Sequence, residues 1–368
     1  MQSLALFALA ACLPAQRDPL RDRGLFPLGV WLQAPERAAR YRDLSINLYV
    51  GLYKGPTEKQ LDVLRAAKMP VICAQNEVGL AHAKDPIIVG WMQRDEPDNA
   101  QAKAGGGYGP PVDPARIAGE YRRMKKLDPD RPVLLNLGQG VAWDGWYGRG
   151  SRTNHPEDYP RYVEGCDIAS FDIYPVTHDR PDVRGRLELV AEGVRRLRQW
   201  AGSRPVWAFI ETTRVKNENA LPTPSQIRSE VWLAIASGAS GIVYFVHEFR
   251  PRFIEAGIFA HPEIAAAVRD VNREILALAP VLREPPLEDA VEVEGDVALR
   301  VARRDGRWYL FAVSLRPEDA RASFRFCSPR NRPGSVEVIG EDRSIDLEDG
   351  RFEDRFESYA PHLYRSRK

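Results

Sequence analysis

The sequence predicts an α/β fold, a (β/α)8 TIM barrel followed by a small C-terminal antiparallel β-sandwich-like domain. Two observations carry that prediction. Eight short apolar runs alternate with amphipathic helical patterns, and after Pro285 and Pro286 the pattern changes to short alternating segments split by Asp-Gly turns. Continuous apolar strands separated by amphipathic helices imply a parallel sheet covered by helices. Eight such units over about 260 residues match the size of a closed barrel. A doubly wound open sheet is the alternative, and it usually carries a Gly-rich turn after its first strand. Here Leu28-Gly29-Val30-Trp31 leads into Gln33 and Pro35 instead.

The strands are expected at 25–32, 46–53, 70–74, 87–92, 132–137, 167–174, 205–211 and 241–247. Helical patterns are clearest at 58–68, 114–127, 186–201, 224–237 and 262–282, and poorly marked at 79–84 and 156–165. The barrel should therefore occupy 25–284. Short segments at 291–293, 297–302, 308–314, 322–327, 335–339 and 360–364 place the β domain at 288–368.

In the 368-residue chain, 52 Lys and Arg nearly cancel 51 Asp and Glu, which leaves no global positive field to draw the protein onto nucleic acid. Residues 4–13 are apolar but too few for a membrane span, so 1–16 reads as a signal peptide and no integral membrane span is expected. Leu9-Ala10-Ala11-Cys12 resembles a lipobox. The expectation is an exported protein, periplasmic, extracellular or lipid-anchored through Cys12. Cys73, Cys166 and Cys327 show no close pairing and read as small buried hydrophobes rather than a disulfide framework or zinc site. The sequence leaves oligomeric state open.

In a barrel the chemistry sits at the carboxyl ends of the strands, so a carboxylate that ends an apolar run is a candidate. The fourth strand ends Gly90-Trp91-Met92-Gln93-Arg94-Asp95-Glu96-Pro97 and the seventh ends Trp207-Ala208-Phe209-Ile210-Glu211. Strands four and seven lie nearly across a closed barrel from one another, so Glu96 and Glu211 are the expected catalytic carboxyl pair, an arrangement suited to glycoside hydrolysis. The competing reading makes each a rim carboxylate paired with its neighbour, Arg94 or Arg214.

A barrel with Asp95-Glu96-Pro97 at strand four and Glu211 at strand seven resembles the clan A retaining glycoside hydrolases, over roughly residues 25 to 284. The resemblance implies Glu96 as acid/base and Glu211 as nucleophile, acting on β-glycosidic bonds of a carbohydrate substrate without a cofactor. Asp95 stands where the clan commonly has Asn, and 47–53 lacks the Arg often found near the end of strand two. The resemblance also suggests that Tyr174 supports Glu211 and that an aromatic of strand eight, Tyr244 or Phe245, lies under the sugar.

Asp172, Tyr174, Asp95, Trp31, Gln75, His178 and Asn136 complete the expected binding shell. Trp143, Trp146 and Tyr147 after strand five add ring faces suited to sugars, and the Gly-rich 104–111 segment is expected to be a loop over the cleft. Two other functional classes compete. A non-catalytic carbohydrate-binding barrel is motivated by Asp95 and the missing Arg. A metal-dependent hydrolase needs a His-x-His after strand one, which is absent; the six His are scattered and no metal site is expected.

Overall fold

The computed structural model describes residues 24–328 and 332–367. The expected leader 1–16, with Cys12, lies outside the described residues. Eight parallel strands close in sequence order: β1 (Leu28–Trp31), β2 (Leu48–Val50), β3 (Val71–Cys73), β4 (Ile88–Met92), β5 (Val133–Leu137), β6 (Ile168–Phe171), β7 (Val206–Glu211) and β8 (Gly241–Phe245), with β8 pairing back onto β1. Every strand falls inside a run anticipated from the sequence. Helices α1 (Ala38–Asp43), α2 (Glu58–Ala66), α3 (Glu77–Ala81), α4 (Pro114–Leu127), α5 (Tyr159–Tyr162), α6 (Glu188–Ala201), α7 (Pro224–Ala236) and α8 (Pro262–Leu282) follow the strands in turn. The chain is thus a (β/α)8 barrel. The weakly marked third and fifth helices are its shortest, at five and four residues.

Strand alternation divides the core. Leu48, Val50, Ile72, Val89, Leu134, Ile168, Trp207, Phe209 and Val243 fill the barrel, topped by Trp31, Tyr174 and the partly buried Phe245. Their neighbours along each strand, such as Val71, Leu135, Ala208 and Ile210, meet the helices. Cys73 and Cys166 are buried and burial pushes both thiols up to about 12, which makes them poor nucleophiles. Cys327 departs from the expectation of burial; it lies at the end of a C-terminal strand and is half-exposed. No helix among the described residues is long and apolar enough to cross a membrane.

The C-terminal segment forms two antiparallel sheets, one of β10 (Val297–Arg304), β11 (Arg307–Ser314), β16 (Pro361–Ser366), β13 (Ser335–Val338) and β14 (Arg343–Asp346). The other holds β15 (Arg351–Phe356), β12 (Ala320–Phe326) and β9 (Val291–Glu294). Trp308, Leu310, Phe324, Phe352 and Tyr364 pack between the sheets as in a β-sandwich. The opposite face of β11 covers the barrel, where Phe311 stacks on Trp232 of α7 at 5.5 Å between ring centroids. The Trp232 indole N–H also donates to Glu274 of α8 at 2.8 Å. Replacing Trp232 with Ala removes a fully buried ring and one donor to Glu274, which keeps Arg228 at 3.0 Å; we expect a loss of about 3–5 kcal/mol in urea unfolding. A loss under about 1 kcal/mol would mean that the sheet contributes little to the barrel's stability.

Candidate active site

The chain after β4 is fixed by a buried carboxylate. Asp98 is fully buried and accepts the backbone N–H of Gly138 and the hydroxyl of Tyr159, each at 2.9 Å. The Arg149 guanidinium lies beside it, itself paired with Asp158 at 2.8 Å. Two residues earlier, the Glu96 N–H still donates to the Asn136 carbonyl at 3.0 Å. Between these ties Glu96 adopts φ +40°, a left-handed conformation that a non-glycine residue takes only when its surroundings enforce it. Gly138 is required here. A Cβ at that position would stand 2.9 Å from Glu96 Oε1 and from the Asn99 amide.

Three acids converge on the mouth, Asp95 and Glu96 past the end of β4 and Asp172 past the end of β6. Asp172 follows β6, and its Oδ2 accepts the Tyr174 hydroxyl at 2.9 Å. Its Oδ1 is buried and receives no hydrogen bond from a fixed protein donor. The Glu96 carboxyl comes within hydrogen-bonding reach of Asp172. Loss of surrounding water, then the charges of Asp172, Asp95 and Asp98, hold the Glu96 carboxyl well above the usual range. Asp172 is pushed up to about 7 by burial and by Asp95, against the lowering effect of hydrogen bonds from Glu96 and Tyr174. Glu96 is therefore the member that carries the proton. Asp95 stands at the open rim, exposed to solvent, with Oδ1 accepting the Asn136 amide at 3.0 Å. Asn136 is oriented in turn by the Ser170 hydroxyl at 3.1 Å.

Glu211 is held by a loop and by a helix. Glu211 ends β7 with no exposed surface, and its two oxygens accept the backbone N–H groups of Val176 at 2.6 Å and Thr177 at 3.0 Å. Its other partner is Glu230, a buried carboxyl on α7 that receives no donor of its own. Burial and the charge of Glu211 hold Glu230 well above the usual range, so Glu230 carries the proton between them. Glu211 is pushed up to about 7 by burial, against the two amides. Neither arginine neighbour pairs as the rim reading supposed. Arg94 grips Glu120 of α4 through two bonds of 2.8 and 2.9 Å, and Arg214 lies 3.5 Å from Glu248.

Other expectations divide. Tyr174 supports Asp172 rather than Glu211. Trp31 is in the inner cluster, edge-on to Phe209, and Phe245 faces inward against Tyr174 at 5.0 Å. Tyr244 points the other way, because strand alternation sends it toward α8, where its hydroxyl donates to Asn272. Gln75 likewise leaves the mouth, its amide bonding the Met124 carbonyl of α4. His178 is buried and neutral, held down to about 4 by burial and Lys216; its Nδ1 accepts the Arg180 N–H and its Nε2 faces Gln139. Its ring meets Trp143 and Trp146 edge-on. Residues 104–111 form the turn of a small hairpin bridged by Ala102 and Tyr108, with Tyr108 exposed. No group of three or more His, Cys, Asp or Glu able to hold a metal occurs among the described residues.

Sequence reasoning missed Asp98 and Glu230. Glu230 had a visible signal, a lone carboxylate amid Ile227, Val231, Trp232 and Leu233 on an otherwise apolar helix. Asp98 had none, since its partners come from β5 and α5.

The raised carboxyls set a pH dependence of stability. A carboxyl whose folded pKa exceeds its unfolded one binds more protons when folded, so stability is greatest below the unfolded value and falls as pH rises through the folded one. For the buried Glu211 and Asp172 at about 7, that window runs from about pH 4 to 7. Urea unfolding should show stability declining across it, each excess proton contributing about 1.4 kcal/mol per pH unit. Glu230→Gln gives Glu211 a permanent N–H donor and should flatten the decline; an unchanged slope would show that this pair does not titrate.

The glycoside hydrolase family 42 β-galactosidase model matches residues 116–271, a span from α4 into α8 that contains Asp172, Glu211 and Glu230 but not Glu96. No curated protein matches the chain. Among solved structures, AmyP in complex with maltose shares 8% identity at a TM-score of 0.57, covering 95% of this chain and 98% of that one. An Anoxybacillus α-amylase shares 10% identity at a TM-score of 0.50, covering 90% of this chain and 89% of that one. These likenesses bear on the fold. The β-galactosidase family match, over less than half of the chain, is a similarity of the segment that carries Asp172, Glu211 and Glu230.

Proposed function

We propose that this protein cleaves β-glycosidic bonds of oligo- or polysaccharides by double displacement, with Glu96 as acid/base and Asp172 as nucleophile. The observation that carries this reading is the close approach of those two carboxyls in the mouth, with Asp172 Oδ1 left without a donor of its own. Carboxyls in direct contact fit the spacing of about 5 to 5.5 Å that retaining enzymes use, once a sugar parts them, far better than the wider gap that admits a water. The β linkage rests on the family described as β-galactosidase.

The roles follow from the charges. Glu96 donates its proton to the leaving oxygen while Asp172 Oδ1, the oxygen without a fixed donor, attacks the anomeric carbon and displaces that oxygen. Tyr174 holds Oδ2 throughout. Glu96, now ionised, takes a proton from water, which attacks the same carbon and releases Asp172. Trp31, Phe245 and Trp146 supply apolar faces for the ring, while Asp95 and Asn136 offer hydroxyl partners.

Glu211, placed by the clan pattern as nucleophile, is instead a positioning group in this reading. No surface of it is exposed, against 7% for Asp172, and its amide partners belong to the loop that carries Tyr174 and His178. Export remains part of the proposal and rests on the apolar 4–13 segment and Cys12; N-terminal analysis of secreted protein that begins at Met1 would remove it.

The deciding experiment is hydrolysis of aryl β-glycosides and polysaccharides by wild type, Glu96→Gln, Asp172→Asn and Glu211→Gln, with product anomers followed by NMR. Retained configuration is expected, with losses of about 10²- to 10⁴-fold in kcat for the first two variants and a much smaller loss for the third. A Glu211→Gln variant as inactive as the others, beside an active Asp172→Asn, would restore Glu211 as nucleophile. The wild-type kcat/KM should rise with pH through about 7 as the pair loses its first proton, then fall as Glu96 ionises.

A further inference from the structure

The β7 loop brings a cation to the mouth that no carboxylate neutralises at close range. Val215 packs with Trp31 and Tyr174 in the inner cluster, so the next residue, Lys216, stands at the inner rim. Its Nζ lies 4.1 Å from the Trp146 ring centroid and 6.0 Å from that of Tyr147. Among the described residues it makes no ion pair; Asp179, Asp172 and Glu96 act on it only at longer range. A half-buried ammonium held over an indole keeps all three N–H donors for something else.

Beyond it lies a cavity of about 550 Å³ lined by Arg184, Lys216, Asn217 and Arg250 together with the acids Asp179 and Glu218. Arg184 is engaged, donating to the His178 and Asp179 carbonyls. Lys216 and Arg250 are the cations left facing the space, and the exposed Tyr147 ring, packed on the buried Trp146, stands beside Lys216 on the mouth side. The side chains that take part in the proposed chemistry are acidic, whereas this flank is basic. That asymmetry has a use only if the substrate is itself polarised.

We propose that this flank is a subsite for an acidic sugar, whose carboxylate or sulfate ester is bound by Lys216 with Arg250 while its ring lies against the exposed Tyr147. The inference rests on the glycosidase reading of the mouth and specifies its substrate class. A charge-assisted contact from an ammonium already stripped of much of its water favours an anion over a neutral hydroxyl. It also discriminates strongly, because a neutral sugar leaves the same ammonium without a partner.

The test compares wild type with Lys216→Met on matched 4-nitrophenyl β-glycosides: glucuronide and galacturonide, their neutral glucoside and galactoside, and the 6-sulfated galactoside. Calorimetric titration with uronate-containing, sulfated and neutral oligosaccharides is run alongside and does not depend on turnover. The expected result is a wild-type preference for an acidic substrate, with KM for that substrate raised in the variant at least tenfold more than for the neutral ones. The uronate and sulfate arms tell the two anions apart. Acid-selective binding that Lys216→Met abolishes, with no turnover of any substrate, would uphold the subsite and overturn the hydrolase mechanism. Turnover with equal effects of Lys216→Met on acidic and neutral substrates, or preference for neutral sugars in both assays, would overturn the subsite and leave the mechanism standing.

Discussion

The mouth of this barrel depends on one buried carboxylate, Asp98. By taking the Gly138 N–H and the Tyr159 hydroxyl it ties the chain leaving β4 to the end of β5 and to α5. Glu96 is caught between that anchor and its own ladder bond to Asn136, and φ +40° is how the chain satisfies both. A conformation of this kind stores of order 1–3 kcal/mol that the rest of the fold must offset. In return the acid is aimed inward at Asp172 while the residues on either side serve other ends: Asp95 the open rim, Pro97 the turn. The strain thus records how tightly the position of one proton donor is specified.

The protein contains the same chemical device twice, at different depths. Glu96 with Asp172, and Glu230 with Glu211, are each a pair of carboxyls facing one another where water is scarce, which raises the first member of each pair well above the usual range. The first pair lies in the mouth, and its acceptor keeps an oxygen without a fixed donor. The second is sealed, and its acceptor is saturated by two backbone amides. One pair is poised to exchange its proton with a ligand; the other spends the same interaction on holding a loop. Low dielectric makes both possible, and access alone separates reactivity from architecture.

The barrel was legible because its strands are continuous apolar runs that no helix period imitates. What escaped were elements built from charge: α1, whose sequence Ala-Ala-Arg-Tyr-Arg-Asp lacks an apolar stripe, and the strands β14 and β15, where Arg343, Asp346, Arg351 and Glu353 obscure the alternation. At the site, Asp95, Glu96, Asn136, Asp172 and Tyr174 could be found, since each sits at or just past a strand end. The pairing between them could not. Which carboxyl meets Glu96 depends on where loops turn after the last ladder bond, and Tyr244 and Gln75 were misplaced for the same reason: facing is a matter of register rather than of distance along the chain.

Helix α7 has a consequence for how divisible this protein is. Glu230 on that helix holds the sealed pair beneath the β6 loop, and Trp232, two positions along, stacks on Phe311 of the C-terminal sheet. Arg228 of the same helix reaches the Pro361 carbonyl, and Arg300 and Arg304 of β10 bond the carbonyls that close α8. The C-terminal sheets are therefore continuous with the wall that supports the mouth. A fragment cut after the last barrel helix would be a barrel with one side unfinished, its α7 ring and the end of α8 left without the partners that cover them.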